Sequence, residues 1–309
     1  MSQKRIDKQM KKIEDKRDKN RTFKKDSSFL KVEENVFDVP TLKLLYTLSN
    51  KGYITEMGGS ISTGKEANVF YAKGNEGEVA VKIYRLASGT FKSMDPYILK
   101  DPRFTNIRHS RKDIVFAWTK KESQNLIRAK KAGIRVPRPI VNDRNVLVME
   151  FLGKDGNPLP ILKDFALDDN EALPVYRQII EYMRRLYVRA HLVHADLSEY
   201  NILIDPHQDE TEENKSENEK FSAKDEKNTT GLIPEPIIID VGQAVTLDHP
   251  NAREFLSRDI ENIRRFFKKY GISEDSKTIL EKIKQKNESD ELFEKELKNE
   301  NQEEFTEMT

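Results

Sequence analysis

The sequence contains no cysteine. That excludes disulfides, cysteine-ligated zinc, iron–sulfur clusters and thiol catalysis. It has no apolar run near the ~18 residues that a membrane-spanning helix needs. The first twelve residues are charged from the fourth onward and carry no apolar stretch, so they do not read as a secretory signal. An excess of one charge is also missing. Fifty-four Lys+Arg stand against 53 Asp+Glu, a net of +1, which leaves no global basic footprint for nucleic acid. Hydrophobic residues are few, at 36%, and charged residues are many, at 35%, against a usual ~25% charged. Part of the chain is therefore not core. Its 309 residues fit a prior of about two domains. These absences lead to the expectation of a soluble, cytoplasmic protein with charged tails and no membrane association.

What is present is unevenly distributed. Residues 1–26 hold eleven Lys/Arg against five Asp/Glu, a net of +6. This basic tail, taken to 1–36, reads as a solvated arm or an RNA-contacting one. Residues 281–309 hold ten acids and five bases, a net of −5, and 272–309 is expected to be a charged, weakly ordered tail. A third low-complexity stretch, 206–236, is rich in Glu, Lys and Asn. It cannot bury enough surface to offset chain entropy. Strong motifs flank it on both sides, so it reads as an acidic insert between two strands. The expected folded unit is 37–271, divided into a helical piece at 37–57, an N-lobe at 58–150 and a C-lobe at 151–271.

Within that unit Pro40–Leu48 reads as a helix with proline in its first turn. Tyr53–Ser62, Ala67–Lys73 and Val79–Tyr84 read as strands, with turns at Gly58-Gly59, Gly64 and Gly74–Gly77. Ser110 is placed to cap a helix running to about Ala132, and Val136–Pro139 breaks the chain. Val146–Phe151 is a short apolar strand. Pro174 is expected to open a helix with Val175, Ile179, Met183, Leu186 and Ala190 on one face. Asn201–Ile204 and Ile237–Ile239 are short buried strands, and Asn251–Tyr270 is a further helix. Strands first and helices later imply an α+β fold with a β-rich lobe followed by a helical lobe.

The chemistry concentrates in His194-Ala-Asp196-Leu-Ser-Glu-Tyr-Asn201 and, beyond the insert, Ile237-Ile-Ile-Asp240-Val-Gly242. Phosphoryl transfer from ATP needs one Asp to orient or deprotonate the acceptor hydroxyl. It also needs an Asn and a second Asp to hold Mg²⁺ on the phosphates. The two strands beside the insert would bring Asn201 and Asp240 together. Upstream, Val79-Ala-Val-Lys82-Ile has the form of the strand whose lysine touches phosphates. Glu122 on the following helix is its candidate partner; a solvated surface acid, beside Lys120 and Lys121, is the lesser alternative. Val146-Leu-Val-Met149-Glu150-Phe151-Leu152 has the form of the strand and hinge that would hold adenine. Gly59–Lys65 fits the start of a Walker loop. However, Glu66 replaces the magnesium-binding hydroxyl, and the residues that follow read as strand where such a loop opens a helix.

Four segments together resemble the RIO family of atypical serine/threonine kinases: Ser62-Thr63-Gly64-Lys65-Glu66-Ala67-Asn68-Val69, Val81-Lys82-Ile-Tyr, His194–Asn201 and Ile239-Asp240-Val-Gly-Gln-Ala-Val. The Ser-Thr-Gly-Lys-Glu-Ala form points to its first subfamily. The resemblance implies a two-lobed protein-kinase-like fold with a small N-terminal helical extension and a truncated C-lobe without an activation loop. It implies Asp196 as catalytic base, and Asn201 and Asp240 as ligands of Mg²⁺ or, in its place, Mn²⁺. Ser62 to Ala67, Val69, Lys82, Glu122, Met149, Glu150, Leu152 and Asn201 would contact ATP. Asp240 would also accept phosphate as an aspartyl-phosphate. The family's partner is the small ribosomal subunit precursor, rRNA and protein, and the expected oligomeric state is monomeric. The segment 85–110, with Arg103, Arg108, His109 and Arg111 at or beside it, resembles a flexible loop near the nucleotide.

The residues leave two other readings open. A small-molecule phosphotransferase of the aminoglycoside or choline type also uses the Asp-x4-Asn pattern, but it would need a larger helical lobe. A nucleotide-bound scaffold on pre-ribosomal particles would fit the basic arm. Ser198 stands where ordinary Ser/Thr kinases carry a lysine after the catalytic Asp, and no Ala-Pro-Glu motif follows Asp240. If the insert reading is right, excising that segment leaves the thermal unfolding midpoint where it was. A collapsed midpoint in a melt monitored by circular dichroism would refute it.

Overall fold

The computed structural model describes residues 37–86, 91–98, 100–104, 110–206, 233–293 and 295. The basic arm, the insert between 207 and 232, Arg108 and His109 lie outside the described residues. Helix α1 (Val39–Asn50) starts at Asp38, whose carboxylate accepts from the Thr41 amide at 2.8 Å. Its buried Leu44, Leu45 and Leu48 pack with Phe70, Ala72, Val79, Val81, Ile83, Val146 and Val148. Those residues come from a five-stranded antiparallel sheet of order β1-β2-β3-β5-β4. The strands are β1 (Glu56–Thr63), β2 (Ala67–Gly74), β3 (Gly77–Tyr84), β4 (Pro139–Asp143) and β5 (Val146–Glu150). From Val79 onward β3 is buried on both faces. Its odd-numbered residues face α1, and Ala80, Lys82 and Tyr84 face the other way.

One local expectation is corrected in this lobe, and one strand is added to it. Gly58 and Gly59 do not form a turn. They lie inside β1, where the pairing with β2 slips between Met57 and Ser60. A Cβ on Gly58 would stand 2.5 Å from the Tyr71 ring, so glycine is needed there for close approach rather than for reversal. Strand β4 forms immediately after the Val136–Pro139 break. Pro139 is its first residue on the sheet edge, where a missing N–H costs no ladder bond.

The segment 85–110 is also more structured than expected. It contains helix α2 (Phe91–Ile98) and a 3-10 turn, Pro102–Phe104. Met94 and Ile98 are buried with Tyr84, Ile114, Val115 and Trp118. Helix α3 (Arg111–Lys131) then begins at Ser110, whose hydroxyl accepts from the Asp113 amide at 3.2 Å.

Past the short hairpin β6 (Gly153–Lys154) and β7 (Asn157–Pro158), helix α4 (Asp169–Val188) opens the C-lobe. It starts earlier than Pro174 because Asp168 and Glu171 form a capping box, two orphan donors satisfied reciprocally. Pro174 is carried inside the helix. The expected face holds, with Val175, Ile179, Met183, Leu186 and Ala190 all buried. Strand β8 (Leu192–Val193) pairs with β11 (Val245–Thr246), and β9 (Ile202–Asp205) pairs with β10 (Glu235–Ile238). Because β10 starts at Glu235, an excision that tests the insert has to stop short of it. Helix α5 (Ala252–Phe267) and helix α6 (Ser276–Lys284) complete the lobe. Among the described residues no helix is long and apolar enough to cross a membrane.

Helix α6 corrects the expected end of the packed unit at 271. Asp275 caps it by accepting from the Lys277 and Thr278 amides. Ile279 and Ile283, one turn apart, are fully buried in the C-lobe core. Farther on, Asp290 is buried and paired with Arg184 and with Arg189, the latter at 2.6 Å. Ile283→Ala should therefore lower unfolding free energy by about 2–5 kcal/mol, the usual cost of truncating a buried isoleucine. Urea denaturation checks this, and an unchanged midpoint would restore the tail reading.

Candidate active site

Lys82 leaves β3 on the face opposite α1. Its ammonium lies 2.7 Å from a Glu122 carboxylate oxygen and 2.9 Å from Asp240 Oδ1. Glu122 is buried on α3, and its second oxygen accepts from the Tyr84 hydroxyl. Burial works against the Lys82 charge. Asp240 and then Glu122 outweigh it and hold the ammonium well above the usual lysine range. Burial pushes the Glu122 carboxyl up, with Lys82 opposing. Asp240 is drawn below the usual carboxylate range, chiefly by Lys82. Glu122 thus stands where the sequence reading placed it, as the partner of Lys82, and it and its neighbour Lys121 are both buried.

The two strands flanking the insert do what their pairing requires. Ile202 opposes Ile238, the Ile239 amide donates to the Asn201 carbonyl at 3.0 Å, and Asp240 follows at once. Asn201 Nδ2 donates to the Asp196 carbonyl at 2.8 Å. Gln243 Nε2 lies 3.2 Å from Asp196 Oδ2. Burial, and then the Asp240 charge, push the Asp196 carboxyl up. Lys82, Glu122, Asp240, Asn201 and Asp196 thus form one connected group.

Other expected contacts are more dispersed. Ser62, Thr63, Gly64 and Lys65 are exposed at the end of β1 and in the turn to β2, and no described contact draws them into the carboxylate group. Glu66 is closer, since its charge adds to the upward push on Asp196. Ala67 and Val69 are half-buried, and Val69 pairs directly with Lys82 across β2 and β3. Met149 packs against the C-lobe core beneath the sheet. The Glu150 side chain turns away from the cleft to Arg135, at 2.8 and 3.1 Å, and to the Arg138 amide. Only the backbone of Glu150 could therefore meet a base. The Leu152 carbonyl is taken by the Leu159 amide at 2.9 Å. Arg103, grouped with a ligand-contacting loop, is spent instead on Asp101 and Asn125.

Several residues at the site escaped the sequence reading. Asp259, buried on α5, accepts from the amides of Ala195 and Leu197 at 2.8 and 2.9 Å. Ala195 has φ +68°, a left-handed conformation that a non-glycine residue keeps only when held. Burial raises the Asp259 carboxyl to about 7, against the pull of those two amides. Arg258, the preceding residue, donates to the Ala195 carbonyl and lies over the Phe255 ring. Lys121 Nζ donates to the carbonyls of Gly242 and Ala244, and burial, with Arg103, lowers it to about 7. Asn125 donates to Val241 and Ala244. An acid or amide that bonds to backbone leaves no motif. The one available signal was periodic: 118, 121, 122 and 125 share one side of α3.

His194 lies at the back of the site, 3.1 Å from the Ile239 carbonyl through Nε2. Burial pushes its imidazole down to about 4, so it is neutral near pH 7 and Nε2–H is the donor.

A model of the RIO domain family matches residues 68–210 and 230–283. The RIO-type serine/threonine-protein kinase Rio1 of Haloferax volcanii is 43% identical over 258 residues, 83% of this chain and 79% of that protein. Its namesake in Methanocaldococcus jannaschii is 39% identical over 82% of this chain and 76% of its own length. The human serine/threonine-protein kinase RIO1 is 39% identical, and the match spans only 40% of that longer protein. Among solved structures, the Rio2 kinase–ADP/Mg²⁺–phosphoaspartate complex from Chaetomium thermophilum is similar with a TM-score of 0.56 and 23% identity. That match covers 80% of this chain and 67% of the other, and it supports the fold.

The His194 environment gives a signed expectation. Its folded value, about 4, lies below the ordinary 6.5. The unfolded chain therefore binds the extra proton first as pH falls. Stability from this group is intact above pH ~6.5 and is lost down to pH ~4, roughly 3 kcal/mol across the window. His194→Gln should flatten that part of the pH–stability curve measured by denaturant unfolding. A variant slope equal to the native one would show that the histidine is not the titrating group.

Proposed function

Since the chain belongs to the RIO family of atypical serine/threonine kinases, we propose that it is a Mg-ATP-dependent kinase and ATPase acting through Asp196 and Asp240. The observation that carries this reading is the Lys82 ammonium bridging Glu122 and Asp240, next to an Asp196 braced by Asn201. Charge-poised groups of this kind are what phosphoryl transfer needs, because the reaction depends on positioning and electrostatics rather than on covalent work by the protein.

The donor set suits the metal that such chemistry uses. Asn201 spends its amide nitrogen on Asp196, which leaves its carbonyl oxygen as the ligating atom. The Asp240 side chain is half exposed and is kept ionised by Lys82. One amide oxygen and one carboxylate are hard donors in the number that Mg²⁺ takes from protein, and Mn²⁺ accepts the same set. Bound there, the metal would neutralise charge on the phosphates of ATP. Lys82 would add its charge to those phosphates, and the β1–β2 turn from Ser62 to Ala67 would cover them. Val69 and Met149 would line the base.

Asp196, pushed toward neutrality, is fitted to accept the proton of an attacking hydroxyl. That oxygen bonds to the γ-phosphorus, the bridging bond to the β-phosphate breaks, and ADP leaves. With no hydroxyl acceptor, an Asp240 carboxylate oxygen makes the same in-line attack to give an acyl phosphate. Water then hydrolyses it and completes an ATPase cycle. The chain passes from Asp240 through a 3-10 turn and β11 directly into α5, with no extended activation segment, which favours a switch over a kinase of many peptides. The family resemblance and the +6 arm support a role in maturing the small ribosomal subunit, with precursor rRNA and protein as partners of a monomer.

Incubation with γ-labelled ATP and Mg²⁺ tests the reading. Hydroxylamine-labile label absent from Asp240→Asn is expected, with phosphate release stimulated by small-subunit precursor particles. Asp196→Ala should keep nucleotide binding and lose turnover ~10²–10⁴-fold, as for a positioned acid or base. Lys82→Ala should weaken nucleotide binding. Turnover unchanged in both aspartate variants would sink the proposal.

A further inference from the structure

We propose that Lys121 and Asn125 are positioning residues: from α3 they hold the turn that carries Asp240. The inference rests on the phosphoryl-transfer reading but concerns residues that the reading does not use. The turn is strained at its first residue, since Asp240 has φ +57° and ψ +56°, a conformation that costs a non-glycine residue ~1–3 kcal/mol unless its surroundings fix it. Three carbonyls just beyond it point at α3. Val241 accepts from Asn125 Nδ2 at 2.8 Å, and Gly242 accepts from Lys121 Nζ at 2.8 Å. Ala244 accepts from both, at 3.1 and 2.5 Å.

Lys121 and Asn125 are both fully buried. Among the described residues no carboxylate pairs with the Lys121 ammonium, which lies 5.3 Å from the centre of the Trp118 ring. An unpaired buried ammonium is a costly way to fill core space, so packing alone is a poor reason for it. The turn sits flush on this helix, because a Cβ on Gly242 would come within 2.9 Å of Trp118 Nε1. Glu122, between the two anchors in sequence, holds Lys82. One helix thus fixes both the lysine and the backbone of the aspartate that the lysine contacts.

The anchor extends outward. Asn125 Oδ1 accepts from an Arg103 guanidinium nitrogen at 2.8 Å. The other guanidinium nitrogens donate to the buried Asp101 at 2.9 and 2.7 Å. The Pro102–Phe104 turn is therefore linked to the Asp240 turn through the Asn125 side chain.

Two nearly isosteric substitutions test this. Lys121→Met removes the donor and the charge. Asn125→Asp keeps the acceptor for Arg103 but sets an oxygen against two carbonyls. The expected result in each folded variant is a kcat about tenfold lower, near 1.4 kcal/mol of barrier. The Michaelis constant for ATP should move much less, and the Mg²⁺ concentration for half-maximal rate should rise. The second readout needs neither nucleotide nor metal. Trp118 is the only tryptophan in the chain and touches the turn, so acrylamide quenching of its emission should increase in Asn125→Asp. Native kcat and native quenching in a variant with a native circular dichroism spectrum would overturn the proposal. So would a kcat loss fully explained by a lowered unfolding midpoint. If Lys121→Met does not fold, Asn125→Asp decides alone. If the native protein turns over no ATP, the kinase reading fails, and the quenching arm still decides whether α3 holds the turn.

Discussion

The ammonium of Lys82 is the charge on which the site depends. It stands between two carboxylates from different lobes, Glu122 on α3 and Asp240 beyond β10, within 2.7 and 2.9 Å. Remove it, and the buried Glu122, the half-exposed Asp240 and the Tyr84 hydroxyl are left together with no counter-charge between them. The cost of leaving a buried charge unpaired exceeds what a well-formed pair contributes. The bridge is therefore poor evidence for stability and good evidence for function. A stable core at this position would be apolar, as it is one residue away on the opposite face of β3, where Val81 and Ile83 meet α1.

Two backbone positions next to the acids are held in left-handed conformation, Ala195 before Asp196 and Asp240 itself. Neither is glycine, and both are pinned from outside their own loops. Asp259 on α5 takes the amides around Ala195, and Asn262 donates to the Leu197 carbonyl at 3.0 Å. Lys121 and Asn125 on α3 take the carbonyls after Asp240. One loop is held through both its amides and its carbonyls, by Asp259, Arg258 and Asn262, and the other through its carbonyls, by an amine and an amide. Each helix buries its polar group against backbone, so each desolvated group has its partner. Strain held in this way keeps the carboxylates aimed without rearrangement when charge develops.

Much of this was legible in the sequence because part of the chemistry is local. Asp196 and Asn201 are five residues apart on one loop. Val79 to Ile83 reads as a strand whichever partner it finds. The α+β order and the pairing of the two strands beside the insert followed from periodicity and chain continuity. Lys121 was passed over because its partners are backbone carbonyls. Nothing in the sequence says that the Gly242 and Ala244 carbonyls will be waiting. Asp259 has the same problem, since its partners are backbone amides 62 and 64 residues away. The segment of helix α6 was expected to be weakly ordered because its composition is charged, yet Ile279 and Ile283 at i and i+4 suffice to bury one face. Pro174 misled by rule, because the capping box at Asp168 outweighs one missing hydrogen bond inside α4.

The two aspartates differ in state for reasons the geometry supplies. Asp240 is held ionised by Lys82, even though burial opposes it. That same negative charge, together with burial, lifts Asp196, and Arg258 at the mouth pulls the other way. Titratable pairs whose surroundings push them apart mark the division between a permanent anion and a proton carrier. Asp240, beside the lysine, is the acid drawn toward its ionised form. Asp196 is the acid whose carboxyl burial and the Asp240 charge push up. The assignment rests on which acid has the lysine. On the other side of the ammonium stands Glu122, which also accepts from the Tyr84 hydroxyl.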